Sequence, residues 1–313
     1  MGELKKSIVI PLDGSKNSLK SLDYLDLMFG PEHKMHVHLL YVMPSLPPLL
    51  TDDKTMDRKI RSALASVKRK NKEIAERVLA EAMEILIDKG FDEENIKPHC
   101  RQCESTIARD IHFLAKNKGA DTILMSRRGR TDFKPFIMGA ISTRLVEYGR
   151  DCPLWIVGGG VRSKKVLIAV DSSKNALRAV DHAGFMLSGT DCKATIFYTM
   201  RNLRRFVPLE ALEEAPDLEE FWRNKAGQQI APYMKKAKKI LLDAGLSEDQ
   251  IATKVIDGSR SAADDILKEA HENGFGTIVL GRRGLSKIKE LFMGSVTRKI
   301  LNSSIGLTVW IVQ

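Results

Sequence analysis

Short apolar runs alternate with longer stretches of helical period along the whole chain. The run SIVIPL at 7–12 ends in Asp13, and the run KVLIAV at 165–170 ends in Asp171. Continuous apolar runs of this length predict parallel strands covered on both faces. An amphipathic helix follows each, over 16–29 and 174–188, and then a second strand, over 37–44 and 194–200. A loop and a long helix come next. The loop 43–56, with Pro44, Pro47 and Pro48, precedes a helix over roughly 57–89, and 201–217 precedes one over roughly 218–244. Third strands at 96–102 and 251–256 lead into helices at 105–118 and 260–273, then fourth strands at 122–126 and 277–281. A Gly-punctuated loop, a short helix and a fifth strand close each half, at 153–157 (PLWIV) and 307–312 (LTVWIV).

Strict alternation of strand and helix predicts an α/β fold, a parallel sheet with helices on both faces. The whole order occurs twice, so two tandem domains are expected, at 1–157 and 166–313. Residues 158–165, opening with Gly158, Gly159 and Gly160, read as the linker between them.

In such sheets ligands bind beyond the carboxyl ends of the strands, where strand order reverses. Asp171, the end of the strand at Thr199 and the loop 281–295 all fall on that rim. The loop reads GRRGLSKIKELFMGS, with Gly281, Gly284 and Gly294 followed by Ser295. Glycines let backbone N–H groups approach an oxyanion, a helix N-terminus adds partial positive charge, and Ser295 can cap that helix and donate to phosphate. Arg282, Arg283 and Lys287 are available to neutralise charge. The competing reading is a surface turn whose serine only caps, and for Asp171 and Asp13 taken alone capping is the favoured reading. The first half repeats the loop as SRRGRTDFKPFIMGA at 126–140. Arg128, Gly129 and Gly139 keep their places, but Ser126 adds a Cβ where backbone should meet phosphate, and Ala140 removes the hydroxyl.

Composition narrows the class. Of 313 residues, 43% are hydrophobic and 29% charged, which suits a chain that buries a core. No run reaches the roughly 18 apolar residues of a membrane span. The start MGELKKSIVIPLDGS reads as a strand rather than a leader, and Lys6 stands where a myristoylation signal after Gly2 wants Ser or Thr. The net charge of +10 could favour anionic partners, but the basic run at 58–77 reads as a solvated helix face. Aromatics are sparse and lie apart from it, so nucleic acid is not an expected partner. Four cysteines, Cys100, Cys103, Cys152 and Cys192, fit a reducing compartment and a cytoplasmic protein. Cys100 and Cys103 form a C-x-x-C at a strand end with no second pair, so a structural role is expected. His36 and His38 share a strand face and read as packing or strand-edge residues rather than metal ligands. No signature nominates a catalytic residue or a dedicated metal site.

Taken together, the chain resembles a tandem universal stress protein, two UspA-like domains fused. The ATP-binding variety of that family carries G-x2-G-x9-G-(S/T), matched by Gly281, Gly284, Gly294 and Ser295, and a first strand ending in Asp, matched at AVDSS (169–173) and PLDGS (11–15). The resemblance implies five-stranded sheets of order 3-2-1-4-5, similar to the adenine nucleotide alpha hydrolases. It implies that Asp171 faces the adenosine, that backbone at Thr199 meets the adenine and that the loop wraps the phosphates. The nucleotide set would be Ala169, Asp171, Thr199, Leu280, Gly281, Arg283, Gly284, Gly294, Ser295 and Val296. A weaker, degenerate set would be Asp13, Val42, Arg128, Gly129 and Gly139.

The expected function is that of an ATP-binding stress sensor or regulator, with the nucleotide held mainly by the second half and Mg2+ as an optional companion. Hydrolysis, if any, would be slow. Pairing of the two halves through their last strands is expected within one chain, with homodimerisation left open and no membrane partner. Two rivals stand beside this. One is a nucleotide-free module that binds protein or nucleic acid through a basic surface. The other is an adenylating enzyme of the ATP-pyrophosphatase type, against which DGSKNS (13–18) and DSSKNA (171–176) lack paired glycines.

Overall fold

The computed structural model describes residues 5–32, 34–50, 56–127, 141, 144–146, 152–215, 217–259, 261–284 and 293–313. These form two compact units that part between Val157 and Gly158.

In the first unit β1 (Ser7–Leu12) lies between β2 (His36–Met43) and β4 (Thr122–Ser126), with β3 (Ile96–Gln102) beside β2 and β5 (Leu154–Val157) beside β4. The second unit repeats this with β6 (Lys165–Ala169) between β7 (Lys193–Met200) and β9 (Thr277–Gly281). There β8 (Ile251–Asp257) flanks β7 and β10 (Thr308–Val312) flanks β9. All these pairings are parallel, and each unit has the order 3-2-1-4-5. Strand order therefore reverses between β1 and β4, and again between β6 and β9. The inner strands are buried along almost their whole length, whereas β3 and β8 are largely exposed.

The helices start where a side chain can satisfy their first N–H groups. Ser15 accepts from the Ser18 N–H at 3.2 Å and opens α1 (Lys16–Phe29). Ser173 accepts from the Ala176 N–H at 3.1 Å and opens α4 (Lys174–Leu187). Asp57 does the same for Ile60 at 2.8 Å and opens α2 (Arg58–Asp88), and Thr106 opens α3 (Ile107–Asn117). In the second unit α6 (Asp217–Asp243) buries Ile230, Met234, Ala237 and Leu241, a stripe of helical period. It is preceded by the short α5 (Leu209–Glu213), inside a stretch expected to be loop. The right-handed crossover rule places α1 and α2 on one face of their sheet and α3 on the other.

Each core is anchored by a tryptophan of its last strand. Trp155 has no exposed surface and stacks on Phe29 of α1, centroids 5.8 Å apart, while Trp310 is equally enclosed in β10. Truncating either leaves a void that the packed helices cannot fill. Trp155→Ala and Trp310→Ala should each lower stability by about 3–5 kcal/mol, read from urea unfolding followed by circular dichroism. A loss under about 1 kcal/mol would contradict this placement.

Candidate functional site

The carboxyl ends of β6 and β9 diverge at the reversal, and the turn after β6 is the first element of the site. Ser172 adopts a left-handed backbone, φ 64°, as Gly14 does at the matching position with φ 77°. For serine that conformation is uncommon. It turns the chain sharply enough for Asp171 Oδ1 to accept from the Ser173 N–H at 3.1 Å. The competing reading of Asp171 and Asp13 as N-caps is thereby revised. Capping falls to Ser173 and Ser15, and the aspartates brace the turn ahead of them.

Beyond this turn lies a cavity of about 410 Å³, and its lining includes every residue of the expected nucleotide set. Ala169 and Leu280 pair across β6 and β9 and line it, as does Thr199, the residue before the end of β7. Gly284 lies directly against Asp171: a Cβ built there would sit 2.0 Å from Asp171 Oδ2. Glycine is needed here for close approach between two loops. At the far side α8 (Ser295–Ser303) points its N-terminus at the cavity. Its N-cap is Gly294, which has no side chain to offer, and Ser295 is the first helical residue. The expectation that Ser295 caps this helix is therefore corrected, and its exposed side chain lines the cavity instead. The first turn of an α-helix directs N–H groups and partial positive charge outward, which suits an anion. Thr297 ties α8 to the sheet by donating to the Gly281 carbonyl at 3.1 Å.

The basic residues divide. Arg283 lines the cavity. Arg282 does not: it is 4% exposed and donates through Nη1 to Gln313 Oε1 at 2.9 Å. Its expected role in neutralising phosphate is withdrawn, because alternation along the chain sends neighbouring side chains to opposite sides. Lys287 lies outside the described residues.

The first unit has a smaller counterpart of about 240 Å³, which Asp13, Val42 and Ser126 line. Arg128, Gly129, Gly139 and Ala140 lie outside the described residues. The reason offered for Ser126 weakening this site needs revision. A Cβ at Gly281 would meet the backbone of Asn175 and Ala176 at 3.1–3.2 Å, so this position faces the helix after the first strand. Ser126 correspondingly shares a hydrogen bond of 2.8 Å with the buried Ser21 of α1. The two cavities differ in volume. Asp13 Oδ1 takes both the Ser15 N–H at 3.0 Å and the Ser15 hydroxyl at 2.6 Å. Arg127 lines the smaller cavity, and burial lowers its guanidinium to about 10, still cationic at neutral pH.

One residue of the cavity lining, and one that braces the turn behind it, left no mark in the sequence. Asp265, in the first turn of α7 (Ala262–Glu272), is buried and accepts the Thr199 hydroxyl at 2.9 Å and the Ser259 N–H at 3.0 Å. An acid there reads as an ordinary dipole partner, and only the fold shows that it fixes Thr199. Tyr233 of α6 donates its hydroxyl to the Ser173 carbonyl at 3.1 Å. Burial and the nearby Asp171 carboxylate push its phenol well up, so it remains a donor.

The remaining sequence candidates lie elsewhere. Cys100 is exposed on β3, and Cys103 follows the strand's last residue beside Asp110. Burial raises both thiols, with Glu76 adding to the effect on Cys100 and Asp110 to that on Cys103, which disfavours the thiolate needed for redox chemistry. His38 was expected to pack, and it does, but against a second imidazole: its Nδ1 lies 3.0 Å from His99 Nε2. Burial first, then the charges of His99, Lys118, His36 and Lys97, lower His38 to about 4.

With this geometry in place, comparison with known proteins is decisive about kinship. The universal stress protein family matches residues 5–158 and again 162–312. The chain belongs to that family. Universal stress protein YxiE of Bacillus subtilis is 28% identical over 139 residues, covering 44% of this chain and 90% of that protein. Universal stress protein MJ0531 of Methanocaldococcus jannaschii is 27% identical over 157 residues, covering 49% of this chain and 82% of its own. Among solved structures, a universal stress protein from Archaeoglobus fulgidus superposes with a TM-score of 0.60 at 20% identity over 97% of both chains. The Pseudomonas aeruginosa protein PA1789 gives a TM-score of 0.56 at 14% identity, over 99% of this chain and 92% of that one. These structural likenesses establish the fold.

Two predictions follow from the geometry. Gly284→Ala should destabilise the second unit by about 1–3 kcal/mol, and Asp171→Ala in the same chain should recover most of that loss. A full cost in the double variant would show that the two loops do not meet there. For His38 the folded pKa lies below the unfolded one, so its contribution to stability is complete above about 6.5 and is lost as pH falls towards 4. The stability–pH slope between those values should flatten in His38→Gln, and an unchanged slope would count against a buried neutral imidazole.

Proposed function

We propose that the second unit binds ATP at the β6–β9 reversal and that the protein acts as a nucleotide-dependent stress sensor or regulator. The observation that carries this reading is the convergence of Asp171, Gly284, Gly294 and Ser295 on one cavity. Its volume of about 410 Å³ lies within the range of cofactor pockets. The Asp171 carboxylate would accept from ribose hydroxyls. Because the Thr199 hydroxyl is committed to Asp265, the backbone at that strand end is what would meet the adenine. The N-terminus of α8, Ser295 and Arg283 would hold the phosphates. Bound ATP would supply a polyanion that bridges the β6 turn and α8.

Among the described residues no group of three or more His, Cys, Asp or Glu could hold a metal ion. Any Mg2+ would therefore be carried in by phosphate oxygens and water. The cavity's carboxylates, Asp171 and Asp265, brace backbone and Thr199, an arrangement that favours sensing over turnover. No described helix is long and apolar enough to cross a membrane, and a cytoplasmic setting accords with the four free thiols.

Isothermal titration of ATP, with and without Mg2+, tests this reading. One nucleotide per chain is expected, with affinity weakened roughly tenfold or more in Asp171→Ala. Absence of heat from the wild type, or equal affinity in the variant, would refute it. Two equivalent nucleotides per chain would refute the assignment to the second unit.

A further inference from the structure

The two units build the same crevice from the same elements but line it with different side chains. Thr199, next to last in β7, has Val42 at the matching place in β2. Ala262, the first residue of α7, has Ile107 at the start of α3. One change removes a hydroxyl and the other adds aliphatic bulk. Asp110 matches Asp265 in the first turn of its helix and is likewise buried. With valine in place of the threonine, Asp110 accepts from the Glu104 N–H at 3.2 Å and bonds to Cys103. It stays out of the cavity lining, where Leu12, Leu40, Val42, Ile111 and Met125 form a buried aliphatic wall.

The polar part of this lining is narrow. Ser15 Oγ donates to Asp13 at 2.6 Å, Ser18 Oγ to the Ser15 carbonyl at 2.7 Å, and Ser126 is held by Ser21. Among the described lining residues the one cation is Arg127, which is 8% exposed. Its counterpart Arg282 also follows the fourth strand of its unit. Both backbone N–H groups donate to the end of the fifth strand, Arg127 to the Val157 carbonyl at 3.0 Å and Arg282 to that of Val312 at 2.6 Å. The side chains then part. Arg282 is drawn to Gln313, the residue after Val312. Gly158 follows Val157 and has no side chain to draw Arg127 the same way, and Arg127 lines the cavity.

We propose that the first unit's cavity binds a small aliphatic carboxylate, its chain on the Leu40, Val42 and Ile111 wall and its anionic end on Arg127. A planar carboxylate matches a guanidinium in bidentate geometry, and away from water that pairing is stronger than at a surface. The volume of about 240 Å³ lies below the range of cofactor pockets. It suits a chain of a few carbons rather than base, sugar and phosphates together. The aliphatic wall rewards each methylene taken from water. A nucleotide would miss the threonine–aspartate pair at the strand end, and Ala140 replaces Ser295 in the sequence. This inference stands apart from the nucleotide reading of the second unit.

Isothermal titration of the full chain with sodium hexanoate tests it. One equivalent should bind, and affinity should rise about fourfold per methylene from butanoate through pentanoate to hexanoate. Hexanol, which has the chain without the anion, should bind roughly tenfold or more weakly. Arg127→Gln should weaken hexanoate by a similar factor. Ile107→Trp, at a half-buried position, should block the cavity while leaving the urea unfolding curve in place. Hexanoate affinity should be the same with and without saturating ATP, which keeps this site separate from the second unit's. No heat from the wild type at millimolar hexanoate would overturn the proposal. So would hexanol equal to hexanoate, or full affinity in either variant. Displacement of hexanoate by ATP would also overturn it, by returning the cavity to the nucleotide.

Discussion

A parallel sheet whose strand order reverses must send the crossovers on either side of the reversal to opposite faces. The loops at that point diverge, and backbone that would otherwise be covered is left facing a crevice. This constraint acts in both units, between β1 and β4 and between β6 and β9. It determines where a pocket can form before any side chain is chosen. Everything at the candidate site elaborates that one opening: the turn after the central strand, the end of its neighbour, and the helix that returns from the far loop.

Within the opening, polar side chains are spent largely on backbone and on one another. Asp171 braces the turn, Asp265 fixes Thr199 and the Ser259 N–H, Thr297 fastens α8 to Gly281, and Tyr233 reaches back to Ser173. Groups directed at their neighbours hold the cavity wall in shape, while Arg283 and Ser295 line the cavity beside exposed main chain. A site of that kind recognises a shape and a distribution of charge. The tight contact between Gly284 and Asp171 belongs to the same logic, since it allows two loops to share one boundary with no spacer.

Much of this was legible in the sequence because it is local. Apolar runs and helical period placed the strands within a residue or two, and the extents of β4 and β9 agree with expectation. Strand order required kinship, since periodicity carries no information about which strands are neighbours. Local signals failed where two nearby groups could perform one task. Asp13 and Ser15 are both able caps, and only the left-handed residue between them decides that serine takes that role. Arg282 and Arg283 are indistinguishable as letters but fall on opposite sides of the chain. Pairs distant in sequence, such as His38 with His99 or Thr199 with Asp265, left no trace, because their meeting depends on register between strands and on the packing of a later helix. The basic run opening α2 was legible as well: a solvated helix face is what the charge pattern implies, and residues 58–74 include no buried side chain.

Gly294 has one more implication. With glycine at the N-cap, no side chain accepts from the first N–H groups of α8, and an anion placed there would add to the helix's own stability. An anion seated on α8 would thus complete a secondary-structure element as well as fill a pocket. Since α8 is fastened to β9 through Thr297 and to α7 through Lys299 and Asp264, its firmness would be felt at both. Occupancy of the cavity and order in α7, β9 and α8 would then be two readings of a single equilibrium.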